Sequence, residues 1–432
     1  MEVAHPPAEI SLSAAAVTKK TYLYDRLRSL ASGVIDSAAS TFLLLMAVKA
    51  FDAGSIEKSF IAASGNIGML LSLWLVPLVE RWGKPVMHVA SWMMWAGGAA
   101  MLVAAGVGTL NVLVISSVVS IGLANAIIPL LTAVYQENYL SRERGKYVSR
   151  TFVPRVAATI VFGELAGRLL TQDINLYRWL LVTFAIAFAF AAICLARIPS
   201  TALHAKPQSS MPPPPAASQR SGEKGVMLGA FHSMRHLRTD HTLRWTLVSW
   251  MLMGFANLMM WPLRVEFLAN PKYGLVLNPQ QVALYVITIP SVMRLLLSPA
   301  WGMLFDRMNF FVLRIILNVG FALGIAAFFT GNSVLGLVLG AAIFGIANAG
   351  GEVAWNLWVT KFAPHNLVAE YMSIHTFFTG IRGIAAPFIA FQLTQTLDIA
   401  GIALVCALLI LFASLILIPE ARSERRKMHE AI

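Results

Sequence analysis

The segment GLANA at residues 122–126 lies inside a long apolar stretch, and the chain repeats it as GIANA at residues 345–349. Further matches occur in the same order at nearly the same spacing. They are Glu80-Arg81 with Asp306-Arg307, Tyr147-Val148-Ser149 with Tyr371-Met372-Ser373, and Gly33 and Asp36 with Gly254 and Asn257. Apolar sequence aligns with itself readily, but matches between charged residues in loops are not of that kind. The pattern therefore predicts a chain built from two related halves.

The composition places these halves in lipid. Hydrophobic residues make up 57% of the 432 residues and charged residues only 12%, whereas a soluble domain carries about 25% charged residues. This excludes a cytosolic enzyme, a nucleic-acid-binding module and a disordered scaffold, because too few polar side chains remain to cover a surface in water. The sequence also predicts no cofactor and no metal. It has no P-loop and no metal-ligand spacing, and Cys194 and Cys406 lie within apolar runs.

Twelve apolar runs organise the chain into two sets of six. Most of them reach the roughly 20 residues that a membrane-spanning helix needs. The first set lies at about residues 26–50, 57–79, 86–107, 110–138, 148–170 and 177–197, and the second at about 242–268, 279–304, 310–331, 332–361, 371–397 and 399–419. We therefore predict an all-α membrane protein with twelve transmembrane helices in two pseudo-symmetric six-helix bundles, residues 26–197 and 242–419.

Residues 198–241 are rich in proline, serine and basic residues, which is typical of an extended linker. Most Lys and Arg residues fall in this linker and in loops on one side, which the positive-inside rule places in the cytoplasm. The terminal tails, residues 1–25 and 420–432, lie on the same side, and Arg264 is among the few basic residues assigned to the other. We expect a monomer in a bacterial inner membrane, with lipids around it and no nucleic-acid partner.

A charged motif follows the second run of each half. The two copies read VPLVERWGK at residues 76–84 and GMLFDRMN at residues 302–309. They resemble the G-x-L-a-D-R-x-G-R signature of the major facilitator superfamily, and the chain is similar to that family over essentially its whole length. The first copy lacks the initial glycine and the second lacks the later one. The basic residue that the family has in helix four is absent from residues 117–124.

The resemblance implies a major facilitator fold, in which two bundles rock about a binding site near the middle of the membrane. Charge-assisted bonds made by the motif would close the cytoplasmic side, and Gly302 would let a neighbouring helix approach closely. The gate residues predicted in this way are Glu80, Arg81, Gly83, Gly302, Asp306 and Arg307. The alternative is that the basic residues only set the membrane topology.

Ionisable residues also lie near the middle of apolar runs. They are Asp36, Arg155, Glu164, Arg294, Glu352 and Arg382. Each costs about 3 kcal/mol or more at the bilayer centre, so each needs a partner or a water-filled cavity. Arg294 and Arg382 are candidates for holding an anionic group, because guanidinium binds carboxylate or phosphate bidentately. Asp36 and Glu352 are candidate proton carriers. The alternative is that these residues form structural ion pairs.

Asn257, Trp261, Trp355 and Asn356 complete the predicted substrate-binding set. The two tryptophan rings can stack on a planar solute, and the asparagines lie beside them. The alternative is that the tryptophans lie against lipid. The sequence thus predicts a secondary active transporter, not an enzyme. It would move a small solute by alternating access, with protons as the coupling ion and an organic anion as the substrate. One alternative is a carrier of the same fold that exports drugs or amphiphiles. A non-transporting receptor or a membrane-embedded enzyme is the alternative from a different class.

Overall fold

The computed structural model describes residues 13–140, 143–202, 236–331, 333–361 and 368–430, and most of these residues form long helices. The helices are α1 (Ala14–Lys49), α2 (Ser55–Trp82), α3 (Val86–Val107), α4 (Leu110–Asn138), α5 (Arg144–Gln172), α6 (Tyr177–Arg197), α7 (His241–Ala269), α8 (Pro279–Arg307), α9 (Phe310–Phe329), α10 (Val334–Leu357), α11 (Val368–Leu393) and α12 (Ile399–Glu430). Within the described ranges, 10 helices are long and apolar enough to cross a membrane. The predicted all-α fold is confirmed.

Short helices lie between the long ones, and two of the long helices contain an irregular turn. One-turn helices lie at Ile174–Leu176, His236–Thr239, Pro271–Tyr273 and Trp358–Lys361. Two long helices contain a π-helical turn, Ala38–Phe42 in α1 and Leu284–Thr288 in α8. Such π turns are rare and occur frequently at functional sites. The space between α1 and α8 is therefore a candidate functional site.

The first and last helices extend beyond the apolar runs. α1 begins at Ala14, within the predicted tail, because its polar residues find partners inside the protein. Asp25 is buried and accepts hydrogen bonds from Arg28 Nη2 at 2.6 Å and from the Tyr135 hydroxyl at 2.7 Å. α12 likewise continues to Glu430. Residues 203–235 of the predicted linker lie outside the described residues, so the division into tails, bundles and linker stays a prediction.

The repeated segment marks an equivalent contact between helices in each half. In the first half, an added Cβ on Gly68 of α2 would lie 2.0 Å from the carbonyl oxygen of Gly122 on α4. In the second half, an added Cβ on Gly345 of α10 would lie 2.5 Å from the carbonyl oxygen of Pro290 on α8. Small residues at helix crossings in membranes allow such close approach. The repeat thus brings the same pair of helices together in both bundles.

We expect Gly68→Ala to destabilise the protein by about 1–3 kcal/mol, the usual range for overpacking a filled contact. The added methyl group would collide with the backbone of α4, which cannot rotate away. Gly302→Ala is the matched control, since nothing among the described residues lies within 4 Å of an added Cβ there. Thermal unfolding of the purified variants in detergent measures the difference. An unchanged melting temperature for Gly68→Ala would contradict the close packing of α2 on α4.

The two bundles contact each other at the end of the molecule that carries the α1–α2 loop. Lys58 of α2 and Glu266 of α7 form an ion pair there, with 2.6 Å between Nζ and Oε1. Nearby, the Gln280 side chain of α8 donates a hydrogen bond to Glu164 Oε1 of α5 at 2.6 Å. These contacts join the first half of the chain to the second. We call this end, defined by these four residues, the closed end.

Candidate functional site

A cavity of about 340 Å³ lies between the two bundles. Helices α1, α2, α4 and α5 of the first bundle and α7, α8 and α10 of the second form its wall. Both π turns border it, through Ala39 and Ser40 of α1 and through Val286 and Ile287 of α8. The charged side chains in its wall are Asp36, Arg155, Arg264, Arg294 and Glu352. Its volume falls in the range of small-molecule sites, and its position between repeated halves is that of transporter sites.

Asp36 and Arg155 form the tighter ion pair of the cavity wall, between α1 and α5. Arg155 Nε donates to Oδ2 at 2.5 Å and Nη2 donates to Oδ1 at 2.7 Å, so the guanidinium holds the carboxylate by two parallel hydrogen bonds. The Arg155 side chain is 45% exposed and that of Asp36 is 34% exposed. Water therefore reaches both groups. We call the end opposite the closed end, which carries the α2–α3 loop, the open end.

Arg294 of α8 and Glu352 of α10 form the second ion pair of the wall. The distance of 3.3 Å between Nη1 and Oε1 is longer than either bond from Arg155 to Asp36. The Arg294 side chain is 18% exposed and that of Glu352 is 40% exposed. Of the two carboxylates in the wall, Glu352 is thus the more accessible to water and has the longer contact with its arginine.

Arg264 of α7 is a charged residue of the wall that sequence patterns did not assign to a site. It is 2% exposed, and its guanidinium carbon lies 3.2 Å from the centre of the Phe344 ring. Its Nε and Nη2 atoms are buried and have no hydrogen-bond partner among the described residues. Stacking on an aromatic ring offsets about 2 kcal/mol of the cost of burying the charge. It leaves the two donors unsatisfied, which is unfavourable.

Arg382 does not line the cavity, although it was predicted to bind the substrate. It is buried between α7 and α11, where its Nη1 donates to the carbonyl oxygen of Trp250. Gly254 of α7 leaves room for the guanidinium, since an added Cβ would lie 2.1 Å from Nη1. The guanidinium carbon lies 5.7 Å from the centre of the Trp355 ring. In this conformation Arg382 therefore serves the packing of the second bundle.

Some of the other residues in the predicted substrate-binding set line the cavity, and others do not. Trp261 and Arg294 line the cavity. Asn257 is not among the lining residues, and its Oδ1 atom is buried without a partner in the described part of the chain. Trp355 packs against His375, with 4.3 Å between the ring centres, and also lies outside the wall. The side chain of Asn356 falls outside the described part of the structure.

Three asparagines join the wall, and glycines of α11 explain the position of one of them. Asn66, Asn125 and Asn348 line the cavity, the last two at equivalent positions of the repeat. Asn66 of α2 packs against Gly383, where an added Cβ would lie 2.2 Å from Asn66 Cγ. An added Cβ on Gly380 would likewise collide with a side chain of α2. The glycines beside Arg382 thus permit the approach of a helix.

The predicted gate residues lie at the open end. The exposed side chains among them are Glu80, Arg81, Asp306 and Arg307. Gly83 ends α2 with φ 58°, and its N–H donates to the carbonyl oxygen of Glu80 at 3.2 Å, so this turn favours glycine. Gly302 has no neighbour within 4 Å of an added Cβ among the described residues. In this conformation no described residue makes the close approach predicted for Gly302, and the gating role stays a prediction.

Known proteins share both sequence and fold with this chain. Residues 267–431 match the sequence model of the Major Facilitator Superfamily. The crystal structure of the nucleoside transporter NupG superposes with a TM-score of 0.70, covering 93% of this chain and 98% of that chain at 14% identity. Most of the second half of the chain is thus similar in sequence to this superfamily, and the whole chain shares the fold of a solved transporter. The resemblance predicted from the two charged motifs is confirmed.

Two further solved structures show how widely this superfamily fold is used. A D-xylose-proton symporter gives a TM-score of 0.62 at 15% identity, covering 94% of this chain and 96% of that chain. The human organic anion transporter MFSD10 gives a TM-score of 0.60 at 13% identity, covering 96% of this chain and 100% of that chain. No curated protein matches the chain by sequence. At these identities the likeness concerns the fold, and the solute has to be argued from the cavity itself.

Proposed function

We propose that this protein is a secondary transporter that moves a small organic solute across the membrane by alternating access. The observation that carries the proposal is the cavity between the bundles, which is shut at the closed end while water reaches Asp36 and Glu352. A solute can enter such a cavity from the open end. It leaves on the other side when the bundles rock and the contact between Lys58 and Glu266 breaks.

The membrane orientation follows from the distribution of basic residues. We assign the open end, the linker and both termini to the cytoplasm, because most Lys and Arg residues lie on that side. The conformation is then inward-facing. A bacterial inner membrane remains our proposed location, and a monomer is sufficient because a single chain forms the complete cavity wall.

Glu352 is our proposed proton carrier. A proton that binds its carboxylate removes the negative partner of Arg294, so that the guanidinium becomes available to a solute. Asp36 is held by two bonds from Arg155 and would release its partner less readily. Proton binding and solute binding are thereby linked through one ion pair. A named proton symporter is among the proteins that share this fold.

The charge of the wall supports a small organic anion as the solute. Three guanidinium groups, of Arg155, Arg264 and Arg294, face two carboxylates. A named organic anion transporter shares the fold. The aromatic rings of Trp261 and Phe344 in the same wall support a second candidate, an amphiphilic drug-like solute. Uptake measured with an anion and with neutral molecules separates the two.

We expect Glu352→Gln to lower uptake driven by a pH gradient at least tenfold and to preserve solute exchange at equal pH, because glutamine cannot carry the proton. Proteoliposomes with radiolabelled benzenesulfonate, uridine and D-xylose measure both activities. Glu137→Gln, at an exposed position of α4, is the control and should behave as the wild type. Unchanged pH-driven uptake by Glu352→Gln would refute this coupling. Wild-type protein that moves none of these solutes would count against the transport proposal.

A further inference from the structure

We propose that Arg264 binds the anionic group of the solute, and that the solute is a small monoanion with an aromatic body. This inference rests on the proposed transport function and adds the residue that recognises the solute. Arg264 lines the cavity, is almost completely buried, and has two N–H groups without acceptors among the described residues. Arg294 has one such buried donor, its Nε, but it is also paired with Glu352, whereas Arg264 has two and no ion pair among the described residues.

Among the described residues, the charges of the wall leave Arg264 without a counterion. Arg155 is paired with Asp36 and Arg294 is paired with Glu352. Two carboxylates thus balance two of the three guanidinium groups. A buried charge without a partner is strongly unfavourable. While Glu352 is ionised, a solute carrying one negative charge makes the wall neutral, which is why we assign a monoanion.

The carboxylate next to Arg264 on the same helix is already engaged. Glu266 Oε1 lies 2.6 Å from Lys58 Nζ and accepts a hydrogen bond from Asn270 Nδ2 at 2.7 Å. Lys58 belongs to the first bundle, so this contact is part of the closed end. Glu266 Oε2 is buried without a partner among the described residues, but side chains two residues apart on a helix do not face each other. Glu266 is therefore the partner of Lys58, and we assign the acceptor for Arg264 to the cavity.

The unused donors of Arg264 match an oxyanion. Nε and Nη2 form one edge of the guanidinium, and this is the edge with which Arg155 holds the carboxylate of Asp36. Carboxylates and sulfonates present two oxygens at the spacing of that edge. Both nitrogens of Arg264 are shielded from solvent in this conformation. Binding therefore includes a rotation of the guanidinium toward the cavity that the side chain lines.

The surroundings of Arg264 indicate the body of the solute. Its guanidinium carbon lies 3.2 Å from the Phe344 ring centre and 5.8 Å from that of Trp261. These two rings are 5.2 Å apart and nearly perpendicular, at 73°. Phe152 of the first bundle also lines the cavity. Aromatic rings from both bundles thus surround the space in front of the cation, where a flat apolar body attached to the anionic group can pack.

Benzenesulfonate and benzenesulfonamide test this proposal, because they have nearly the same shape and only the former is an anion at neutral pH. The concentration dependence of the thermal shift of the purified full-length protein reports binding. We expect wild-type protein to bind the sulfonate at least tenfold more tightly than the sulfonamide. Arg264→Met should lose at least tenfold in affinity for the sulfonate alone. Arg264→Lys keeps the positive charge but loses the two parallel N–H groups of the guanidinium. Its affinity for the sulfonate should lie between those of the wild type and Arg264→Met.

Arg314→Met is the matched control. Arg314 is fully buried, lies 3.4 Å from the Trp250 ring centre and also lacks acceptors among the described residues, but it is not part of the cavity wall. This variant should bind benzenesulfonate as the wild type does. Sulfonate affinity that is unchanged in both Arg264 variants, or equal wild-type affinity for the two probes, would overturn the proposal. Flux of uridine or D-xylose in the same proteoliposomes would then show that transport stands while the anion site fails.

Discussion

Lys58→Met should shift the protein strongly toward conformations in which the closed end has opened. Its ammonium group lies 2.6 Å from Glu266, and the two side chains are only 8% and 2% exposed. Removing one partner of a buried ion pair costs about 3–5 kcal/mol, because the other charge stays buried alone. Glu266 escapes this cost when the bundles part and water reaches its carboxylate. A shift of about 3 kcal/mol changes the ratio of the two conformations roughly a hundredfold.

Spin labels at Ile56 and Leu397 measure this opening, since both residues are exposed at the closed end and belong to different bundles. We expect longer inter-label distances to dominate in Lys58→Met. The double variant Lys58→Met/Glu266→Gln leaves neither position of this pair charged and should return toward the wild-type distribution. Arg178→Met, at an exposed position of α6 in the first bundle, is the control and should have no effect. The same distances in Lys58→Met as in the wild type would show that this ion pair does not hold the bundles together.

A disulfide between positions 163 and 287 should hold the closed end shut. Gly163 lies on α5 and Ile287 on α8, and an added Cβ on Gly163 would lie 3.6 Å from the Cβ of Ile287. Disulfides need about 3.5–4.5 Å between these atoms. Cysteines at both positions should therefore cross-link readily in the conformation described here. The native Cys194 and Cys406 are buried and free, and replacing them with alanine prevents competing bonds.

The helices and their grouping were predictable because apolar length and internal repetition are properties of short stretches. Charges in mid-run were equally conspicuous, and Asp36, Arg294 and Glu352 do line the cavity. The start of α1 was not visible in the same way. Asp25 looks like a tail residue until its bonds to Arg28 and Tyr135 are known.

The remaining site residues depend on how each helix is rotated and where it ends. Arg382 sits in an apolar helix, where no polar face indicates which side meets the cavity, and packing against α7 turns it away. Arg264 lies near the end of the seventh run, so counting charges assigned it to a loop. The 29-residue length of α7 places it inside the protein instead. Neither outcome can be read from composition, because both follow from contacts between distant segments.

Transport by the cross-linked protein tests alternating access most directly. Oxidised Gly163→Cys/Ile287→Cys should lose solute flux in proteoliposomes and regain it on reduction, because α5 and α8 have to separate at the closed end in every cycle. Gly320→Cys/Ala347→Cys, inside the second bundle, is the control and should transport in both states. Its Cβ positions are 3.2 Å apart, so a shift of a few tenths of an ångström brings them to the disulfide distance. Full flux through completely cross-linked 163–287 protein would contradict the rocking of the two bundles.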